Sequence, residues 1–434
     1  MTGAPRAVQI DASSHCQLAC PVCPTADGRA RPVLGAGHLK VADFETLLDR
    51  NPELAEVELS NYGEMFLNPH LPELLAAAHR RQVVVSGNNG VNLNFASDEA
   101  LEAVVRYRVR ALTCSIDGAT QETYARYRRN GDIDKVLGHI DRIREHKKRF
   151  GTAFPILYWQ FVVFGHNQHE IETARAMAVG RGMEFAPRLS WDADHSPVTD
   201  PELVRIQTGL GAADRQEYRE TKGVDYTRDI CYQLWHAPVV NWDGRLLGCC
   251  VNYWGDFGVN AFTEGLANFG DSPNVQRARK MLTGAEPAAA GIPCSTCYHY
   301  EDLRESGRWL TEAEVASAGE RKHLISLLPV AAPGMRFAQI AALPAHAGGT
   351  PAFDVSGRIF RFGIDTAVFC SLPGPGEYRA EARALTSSGW RRFTFPFTVG
   401  ARPVCQELTL NFGSCAPTID APAAPGRWLP SWIS

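Results

Sequence analysis

The chain has 434 residues, of which 45% are hydrophobic and 21% are charged, and its formal net charge is −4. This length allows two or three domains, each with its own core. Without a basic excess, no binding to nucleic acid is expected. No apolar run reaches the roughly eighteen residues of a membrane helix, and the N-terminal residues lack the pattern of a signal peptide. The expected location is the cytoplasm, without attachment to a membrane.

Short apolar runs alternate with segments of helical periodicity from residue 7 to about residue 195. Six of the runs are expected to form strands, in the order "AVQIDAS", "AEVELSN", "QVVVSG", "RALTCSID", "LYWQFVVF" and "MEFAPRLS". Helical segments between near-continuous apolar strands predict a parallel sheet with helical crossovers. Because a closed barrel needs eight strands, the expected α/β fold is an open, partial (β/α)6 barrel over residues 1–195. Its chemistry should lie at the C-terminal ends of the strands.

Three further segments follow the predicted barrel. Residues 196–225 are polar with helical periodicity and indicate a linker. Residues 226–325 carry a second group of cysteines and are expected to form a separate small domain. In residues 326–434, runs such as "RIFRFGID" and "RRFTFPFTV" alternate apolar and polar residues. This alternation predicts a C-terminal antiparallel β domain, to which the sequence assigns no role.

The chain contains twelve cysteines, which in a cytoplasmic protein indicate metal ligands or catalytic thiols rather than disulfides. The stretch "SSHCQLACPVCPT", directly after the first predicted strand, holds Cys16, Cys20 and Cys23. Three thiolates can hold three irons of a four-iron cluster and leave the fourth iron open to an outside ligand. A zinc site completed by His15 or a distant residue is the alternative that the triplet alone leaves open.

The C-x3-C-x2-C spacing after a first barrel strand resembles the signature of the radical S-adenosylmethionine (SAM) superfamily. The resemblance implies that Cys16, Cys20 and Cys23 bind a [4Fe–4S] cluster whose open iron is chelated by the amino and carboxylate groups of SAM. It also implies reductive cleavage of SAM to a 5′-deoxyadenosyl radical, which abstracts hydrogen from a substrate. An electron donor of the flavodoxin or ferredoxin type is the implied protein partner.

Further motifs extend the resemblance over residues 7–310. "NYGE" is similar to the family's Gly-Gly-Glu motif, and "GNNG", at residues 87–90, is similar to the Thr-Asn-Gly turn after its third strand. "SIDGATQETYARYR" resembles the SPASM/twitch branch, and "FVVFGHNQHEI" resembles the strand and loop that pack against adenine. By this resemblance Glu64 accepts a hydrogen bond from the SAM ammonium, and Arg128 forms a bidentate ion pair with the SAM carboxylate. The alternative for Arg128 is that it is an ordinary charged residue on the surface. The residues expected to bind SAM are Tyr62, Gly63, Glu64, Asn89, Ser115, Asp117, Arg128 and Val163.

The second group of cysteines also has a regular spacing. Twelve residues separate Cys231 from Gly244, four more separate Gly244 from Cys249, and "CSTC" adds Cys294 and Cys297. This spacing resembles the SPASM pattern in its shortened, twitch-type form and implies one auxiliary [4Fe–4S] cluster with four cysteine ligands. A four-cysteine zinc site stays open as the structural alternative. The adjacent pair Cys249–Cys250 also leaves the ligand ambiguous by one residue.

The preferred reaction is the two-electron oxidation of an alcohol in a small-molecule or saccharide substrate, with the auxiliary cluster as electron acceptor. The cysteine layout resembles that of a twitch-type dehydrogenase acting on an aminocyclitol. After the sixth strand, "PRLSWDADHSP" offers Arg188, Asp192, Asp194 and His195 as catalytic candidates. An epimerase with Cys250 as hydrogen donor is one alternative. A ribosomal-peptide maturation enzyme is another, although the first strand begins near residue 7 and leaves no room for a leader-binding module. A zinc protein without activity is the third.

Overall fold

The computed structural model describes residues 4–152 and 154–320, and beyond these the backbone of eight strands between Leu324 and Ile419. The chain divides into two compact units. The first holds residues 1–81 and 85–312, and the second holds residues 82–84 together with the chain from Ala313 onward. The boundaries predicted from the sequence, at residues 195, 225 and 325, stay predictions.

A seven-stranded sheet organises the first half of the chain. Its strands lie in the order β6-β5-β4-β3-β2-β1-β7. Five neighbouring pairs have parallel registers, namely β1–β2, β1–β7, β3–β4, β4–β5 and β5–β6. The strands are β1 (Ala7–Ile10), β2 (Glu56–Glu58), β3 (Val84–Val91), β4 (Ala111–Ser115), β5 (Ile156–Val163), β6 (Glu184–Leu189) and β7 (Val239–Val240). The six predicted strands and the open α/β sheet are confirmed.

Helices connect the strands and cover the sheet. The crossovers contain α1 (Arg31–Leu34), α2 (Val41–Arg50), α3 (Leu71–Arg80), α4 (Asp98–Arg106), α5 (Gln121–Tyr127), α6 (Ile133–Phe150) and α7 (Ile171–Gly180). After β6 come α8 (Pro201–Thr208), α9 (Arg215–Lys222), α10 (Gln233–His236), α11 (Pro273–Leu282), α12 (Tyr298–Ser306) and α13 (Glu312–Glu320). No helix within the described part of the chain is long and apolar enough to cross a membrane.

Local sequence signals account for where these helices begin and end. The Asp132 side chain accepts from the backbone N–H of Lys135 at the start of α6, and Gly151 ends that helix in the left-handed conformation. The Ser97 side chain caps α4 in the same way by accepting from Ala100 N–H. The longer crossover helices bury apolar residues on one face, such as Leu101 and its neighbours in α4, and these faces pack into the core beneath the sheet.

The seventh strand was not predicted. β7 consists of Val239 and Val240 and lies parallel to β1, where the Gln9 N–H donates to the Pro238 carbonyl and the Asp11 N–H to the Val240 carbonyl, both at 3.1 Å. The segment that carries the second group of cysteines is therefore hydrogen-bonded to the strand that precedes the first group.

The turn predicted at residues 87–90 is wrong, because β3 continues through these residues to Val91. Gly87 pairs with Leu112 and Val91 pairs with Cys114, so the strand bulges between the two pairs. Glu58 on β2 stabilises the bulge: its carboxylate accepts from the Asn88 N–H at 2.7 Å.

The second unit contains a sheet of eight strands in the order β14-β11-β8-β9-β10-β12-β13-β15. Its described neighbouring pairs are antiparallel except β10–β12, which is parallel. The strands are β8 (Leu324–Pro329), β9 (Arg336–Leu343), β10 (Ala352–Arg358), β11 (Asp365–Cys370), β12 (Gly376–Thr386), β13 (Gly389–Val399), β14 (Gln406–Asn411) and β15 (Thr418–Ile419). The segments that join these strands lie outside the described residues.

Candidate metal and cofactor site

The three cysteines of the first motif lie in the loop after β1 and pack on one apolar cluster. Cys20 is buried, and Cys16 and Cys23 are partly buried. The Cys23 N–H donates to the Cys20 carbonyl at 3.1 Å, which closes a tight turn between these two thiols. The cluster beneath them consists of Leu18, Cys20, Tyr127, Val162 and Phe164. The fold thus gathers the three thiols beside the C-terminal end of β5, as predicted for the chemistry of this sheet.

Two polar side chains contact the thiols. Asn92 Nδ2 lies 3.7 Å from Cys16 Sγ, and Arg128 Nη1 lies 3.7 Å from Cys20 Sγ. Burial and the nearby Glu64 carboxylate raise the pKa of Cys16 to about 12. Burial also raises the pKa of Cys20, although Arg128 opposes this effect. Both sulfurs therefore favour the neutral thiol until a bound cation compensates the thiolate charge.

A close backbone approach joins the loop after β2 to the cysteine loop. A Cβ atom on Gly63 would lie 1.6 Å from the carbonyl oxygen of Ser13, so only glycine fits here. The next N–H, from Glu64, donates to the His15 carbonyl at 2.7 Å. Asp11 accepts from the Gly63 N–H at 3.3 Å, and burial raises the pKa of Asp11 to about 7. The position of the first cysteine is therefore fixed by the loop of the "NYGE" motif.

Glu64, the residue expected to accept from the SAM ammonium, is 2% exposed. Its carboxylate accepts from the backbone N–H of Asn92 at 2.7 Å and from that of Phe66 at 3.1 Å. Burial raises the pKa of Glu64 to about 7, and these two hydrogen bonds oppose the rise. The Asn92 side chain also donates a hydrogen bond to this carboxylate. An ionised carboxylate offers about four acceptor positions, so about one is left for a bound ammonium group.

Arg128 forms an ion pair with Asp117 beside the cysteine loop. Arg128 Nε lies 2.6 Å from Asp117 Oδ2, and the fully buried carboxylate also accepts from the Val162 N–H at 2.7 Å. The guanidinium carbon lies 5.1 Å from the centre of the Tyr127 ring. Burial raises the pKa of Asp117, while Arg128 acts in the opposite direction. Because Nε is occupied, only the Nη edge of Arg128 is left for the predicted contact with the SAM carboxylate.

The other residues expected to bind SAM occupy different environments. Asn89 is exposed and donates from Nδ2 to Asn61 Oδ1 at 2.8 Å, whereas Asn92 is buried and contacts the first thiol. Ser115 and Val163 are buried at the ends of β4 and β5. The SAM-binding role of all three stays a prediction. Asn92 was missed because the third strand was expected to end at residue 87, whereas the observed β3 continues to Val91.

An aromatic wall covers the apolar cluster of the first cysteine loop. The ring of Tyr127 lies 4.6 Å from Phe164, 5.6 Å from His195 and 5.9 Å from Trp191, measured between ring centres. His166 stacks on Phe164 at 5.3 Å. His195 Nε2 is buried without a hydrogen-bond partner among the described residues. His195 is thus the catalytic candidate that packs against the aromatic rings beside the thiols.

The other candidates, Arg188 within β6 and Asp192 and Asp194 in the loop after it, have mainly structural contacts. Asp192 accepts through Oδ1 from the N–H groups of Asp194, at 3.0 Å, and His195, at 2.9 Å. The Asp194 side chain is exposed. Arg188 is buried and hydrogen-bonds to Tyr226. A catalytic role for these residues stays a prediction.

The second group of cysteines surrounds one small cavity. Four thiols line it, and burial raises the pKa of each: Cys231, Cys249, Cys294 and Cys297. The remaining walls are mostly apolar and include Leu234, Leu247 and Phe257. Across residues 4–152 and 154–320, no group of three or more His, Cys, Asp or Glu side chains is placed to hold a single metal ion. By its chemistry, a set of four thiols suits either an iron–sulfur cluster or zinc.

Cys249 and Cys250 have different surroundings. Cys249 lines the cavity, whereas Cys250 packs with Tyr62 and Tyr253 against a separate apolar cluster. The Cys250 N–H donates to Gln233 Oε1 at 2.8 Å, which fixes the backbone between the two thiols. The arrangement therefore favours Cys249 as the ligand.

A histidine that the sequence analysis did not single out lines the same cavity. His299 is 3% exposed, and its Nδ1 lies 3.6 Å from Asp225 Oδ1. Burial lowers the pKa of His299 to about 4, although Asp225 opposes this. Its Nε2 is buried and has no hydrogen-bond partner among the described residues. Only its position two residues after Cys297 could have suggested a role from the sequence.

Comparison with known proteins identifies one family. Residues 11–177 match the profile of the radical SAM superfamily. No curated protein matches the chain. Similar solved structures include SuiB of Streptococcus suis bound to S-adenosylmethionine, with 13% identity, a TM-score of 0.49 and coverage of 69% of this chain and 72% of SuiB. BtrN in complex with AdoMet and 2-DOIA has 13% identity, a TM-score of 0.40 and coverage of 68% and 94%, respectively. Methylornithine synthase (PylB) has 11% identity, a TM-score of 0.35 and coverage of 48% and 64%.

Proposed function

We propose that Cys16, Cys20 and Cys23 bind the [4Fe–4S] cluster that cleaves SAM, because residues 11–177 match the profile of the radical SAM superfamily. When bound, this cofactor pair supplies an electron and a 5′-deoxyadenosyl radical that abstracts hydrogen from the substrate. The observation that supports the proposal best is the convergence of the three thiols with Glu64 and Arg128 at the end of the sheet.

The neighbouring residues would bind and orient the cofactors. Asn92 and Arg128 direct N–H groups toward two of the sulfurs, which stabilises thiolates in an apolar site. The remaining acceptor position of Glu64 suits the SAM ammonium, and the Nη edge of Arg128 suits its carboxylate. The aromatic wall around Tyr127 would give the adenosyl group an apolar surface beside the thiols.

The reaction that we propose is the oxidation of an alcohol in a small molecule or saccharide. A hydrogen atom leaves the carbon, a proton leaves the hydroxyl oxygen, and one further electron leaves to give the ketone. His195 is the proposed base, because its Nε2 has no partner among the described residues and its ring packs on Tyr127. The cavity of four thiols supports an electron-accepting cluster, since four cysteines leave no iron open to substrate.

Epimerisation is the second candidate, because Cys250 lies outside the cysteine cavity. It packs beside Tyr62, which belongs to the "NYGE" motif of the first site. A thiol in this position could return a hydrogen atom to a substrate radical. The product would then have the same mass as the substrate and would carry one hydrogen derived from solvent.

Iron content and SAM cleavage test the proposed function. The anaerobically purified protein is expected to be brown, to hold about eight irons, and to form 5′-deoxyadenosine with a strong reductant. Replacing Cys16, Cys20 and Cys23 with alanine should remove about half of the iron and all cleavage. A colourless zinc protein, or 5′-deoxyadenosine formation by the triple variant, would refute the assignment.

Deuterium incorporation distinguishes the two reactions. The assay uses alcohols and saccharides that accelerate 5′-deoxyadenosine formation, incubated in heavy water with the unmodified protein and with Cys250→Ala. Oxidation predicts a product lighter by two hydrogens from both proteins. Incorporation of carbon-bound deuterium that disappears in Cys250→Ala would establish epimerisation instead.

A further inference from the structure

His299 is the unusual polar group in the wall of the cysteine cavity. Its ring is 3% exposed, and its Nε2 has no hydrogen-bond partner among the described residues. A buried nitrogen without a partner costs about 1–3 kcal/mol, so native structures rarely retain one without a ligand, ion or water. Its position beside four thiols points to a metal.

Two other polar side chains of this wall, Asn252 and Trp254, already have partners. Asn252 Nδ2 donates to the Leu247 carbonyl at 2.7 Å, and its Oδ1 accepts from the Trp254 N–H at 3.2 Å. Trp254 Nε1 donates to the Pro293 carbonyl at 3.0 Å. Among the described residues that line the cavity, His299 therefore holds the buried side-chain nitrogen that has no hydrogen-bond partner.

The surroundings of Asp225 indicate which nitrogen of His299 carries the proton. Asp225 Oδ1 accepts from the N–H and the hydroxyl of Thr227, both at 2.8 Å, and Oδ2 accepts from Arg219 at 2.9 Å. A carboxylate beside Nδ1 favours the tautomer protonated on Nδ1, which leaves a lone pair on Nε2. A histidine that binds a metal through one ring nitrogen commonly donates from its other ring nitrogen to a carboxylate.

We propose that His299 is an iron ligand of the second cysteine site and binds through Nε2. This inference rests on the proposed auxiliary cluster. The cavity then offers five donors for four irons, so that one thiol is not needed as a ligand. A neutral imidazole in place of a thiolate raises the reduction potential of a cluster. The substitution suits a site whose proposed task is to accept an electron.

Pulsed electron paramagnetic resonance tests the iron–nitrogen bond directly. In the full chain carrying Cys16→Ala, Cys20→Ala and Cys23→Ala, only the second site can hold a cluster. The protein is produced in cells supplied with histidine that contains natural or heavy nitrogen, and the purified protein is then reduced. We expect a nitrogen nucleus coupled directly to the cluster, whose signal changes with the isotope. Adding His299→Gln should abolish this coupling, retain most of the iron because the fifth donor takes its place, and shift the midpoint potential downward.

His146→Gln serves as the matched control. His146 is 1% exposed, and its Nε2 lies 3.2 Å from Asp98, yet it lies on α6 and outside the cavity wall. The coupling should persist in this variant. Lack of a histidine coupling in the reference protein, or a coupling that survives His299→Gln, would overturn the inference. If His299→Gln does not fold, the comparison between natural and heavy nitrogen alone shows whether a histidine nitrogen binds the cluster. SAM cleavage by the unmodified protein is measured separately, so failure of the proposed function can be distinguished from failure of the inference about His299.

Discussion

Gly63→Ala should disrupt the first metal site although the new methyl group touches no thiol. The added Cβ would lie 1.6 Å from the Ser13 carbonyl oxygen, whereas an ordinary contact begins at 3.4 Å. The two loops must therefore separate by 3.4 − 1.6 = 1.8 Å. This separation breaks the hydrogen bond from Glu64 to His15. Overpacking of roughly 1–3 kcal/mol and a lost hydrogen bond of roughly 0.5–1.5 kcal/mol lower the free energy of unfolding by about 2–4 kcal/mol.

The assay combines urea unfolding of the metal-free protein with iron content and SAM cleavage after anaerobic reconstitution. Gly63→Ala is expected to lose about half of its iron and nearly all cleavage, because the displaced Ser13 lies three residues before Cys16. Gly138→Ala is the control: no atom lies within 4 Å of its added Cβ, and alanine within helix α6 should stabilise by up to about 1 kcal/mol. Full iron, normal cleavage and unchanged stability in Gly63→Ala would refute this reasoning.

Four further predictions concern other parts of the chain. Replacing Cys294 and Cys297 with alanine should remove the second site's iron and the oxidised product but leave slow SAM cleavage; loss of cleavage would contradict this. Asp117→Asn leaves Arg128 buried without its carboxylate, so urea unfolding should show a loss of about 3–5 kcal/mol, and no loss would speak against the ion pair. Burial, together with His195 and Arg126, lowers the pKa of His166 to about 4. Below pH 6.5 the unfolded chain therefore binds more protons than the folded chain, so the free energy of unfolding should fall toward pH 4 by up to about 1.4 kcal/mol per pH unit. His166→Gln should make this pH dependence weaker. An unchanged dependence in the variant would show that His166 does not cause it. A chain ending at residue 325 should keep its iron and cleave SAM, and an insoluble product would show that the boundary is wrong.

The sequence predicted those features that repeat along the chain. The six predicted strands overlap apolar runs, and Cys16, Cys20 and Cys23 show a fixed spacing, so both could be recognised from the sequence. β7 has two residues, too few for any periodicity, and its pairing with β1 depends on a partner more than two hundred residues away. The glycines at 87 and 90 suggested a turn, since glycine is common in turns. The structure has a β-bulge there instead, stabilised by Glu58, and the sequence does not reveal this contact.

The remaining site residues acquire their roles only through tertiary contacts. Asn92 lies beside a thiol because β3 extends to residue 91, and His299 lies beside four thiols because α12 begins at Tyr298, directly after Cys297. Asparagine and histidine are common in ordinary loops and helices, so neither residue stands out by type. The burial of both residues and the unpaired Nε2 of His299 could be recognised only in three dimensions.

The pairing of β7 with β1 has a consequence for biosynthesis. Val240 leaves the ribosome about 230 residues after Ile10, which at roughly 5–20 residues per second is a delay of roughly 12–46 s. During this interval the outer edge of β1 has no strand to pair with, and unpaired edges promote aggregation. A chaperone that shields this edge, or slow translation before residue 239, would determine how much of the nascent chain reaches a state able to accept iron.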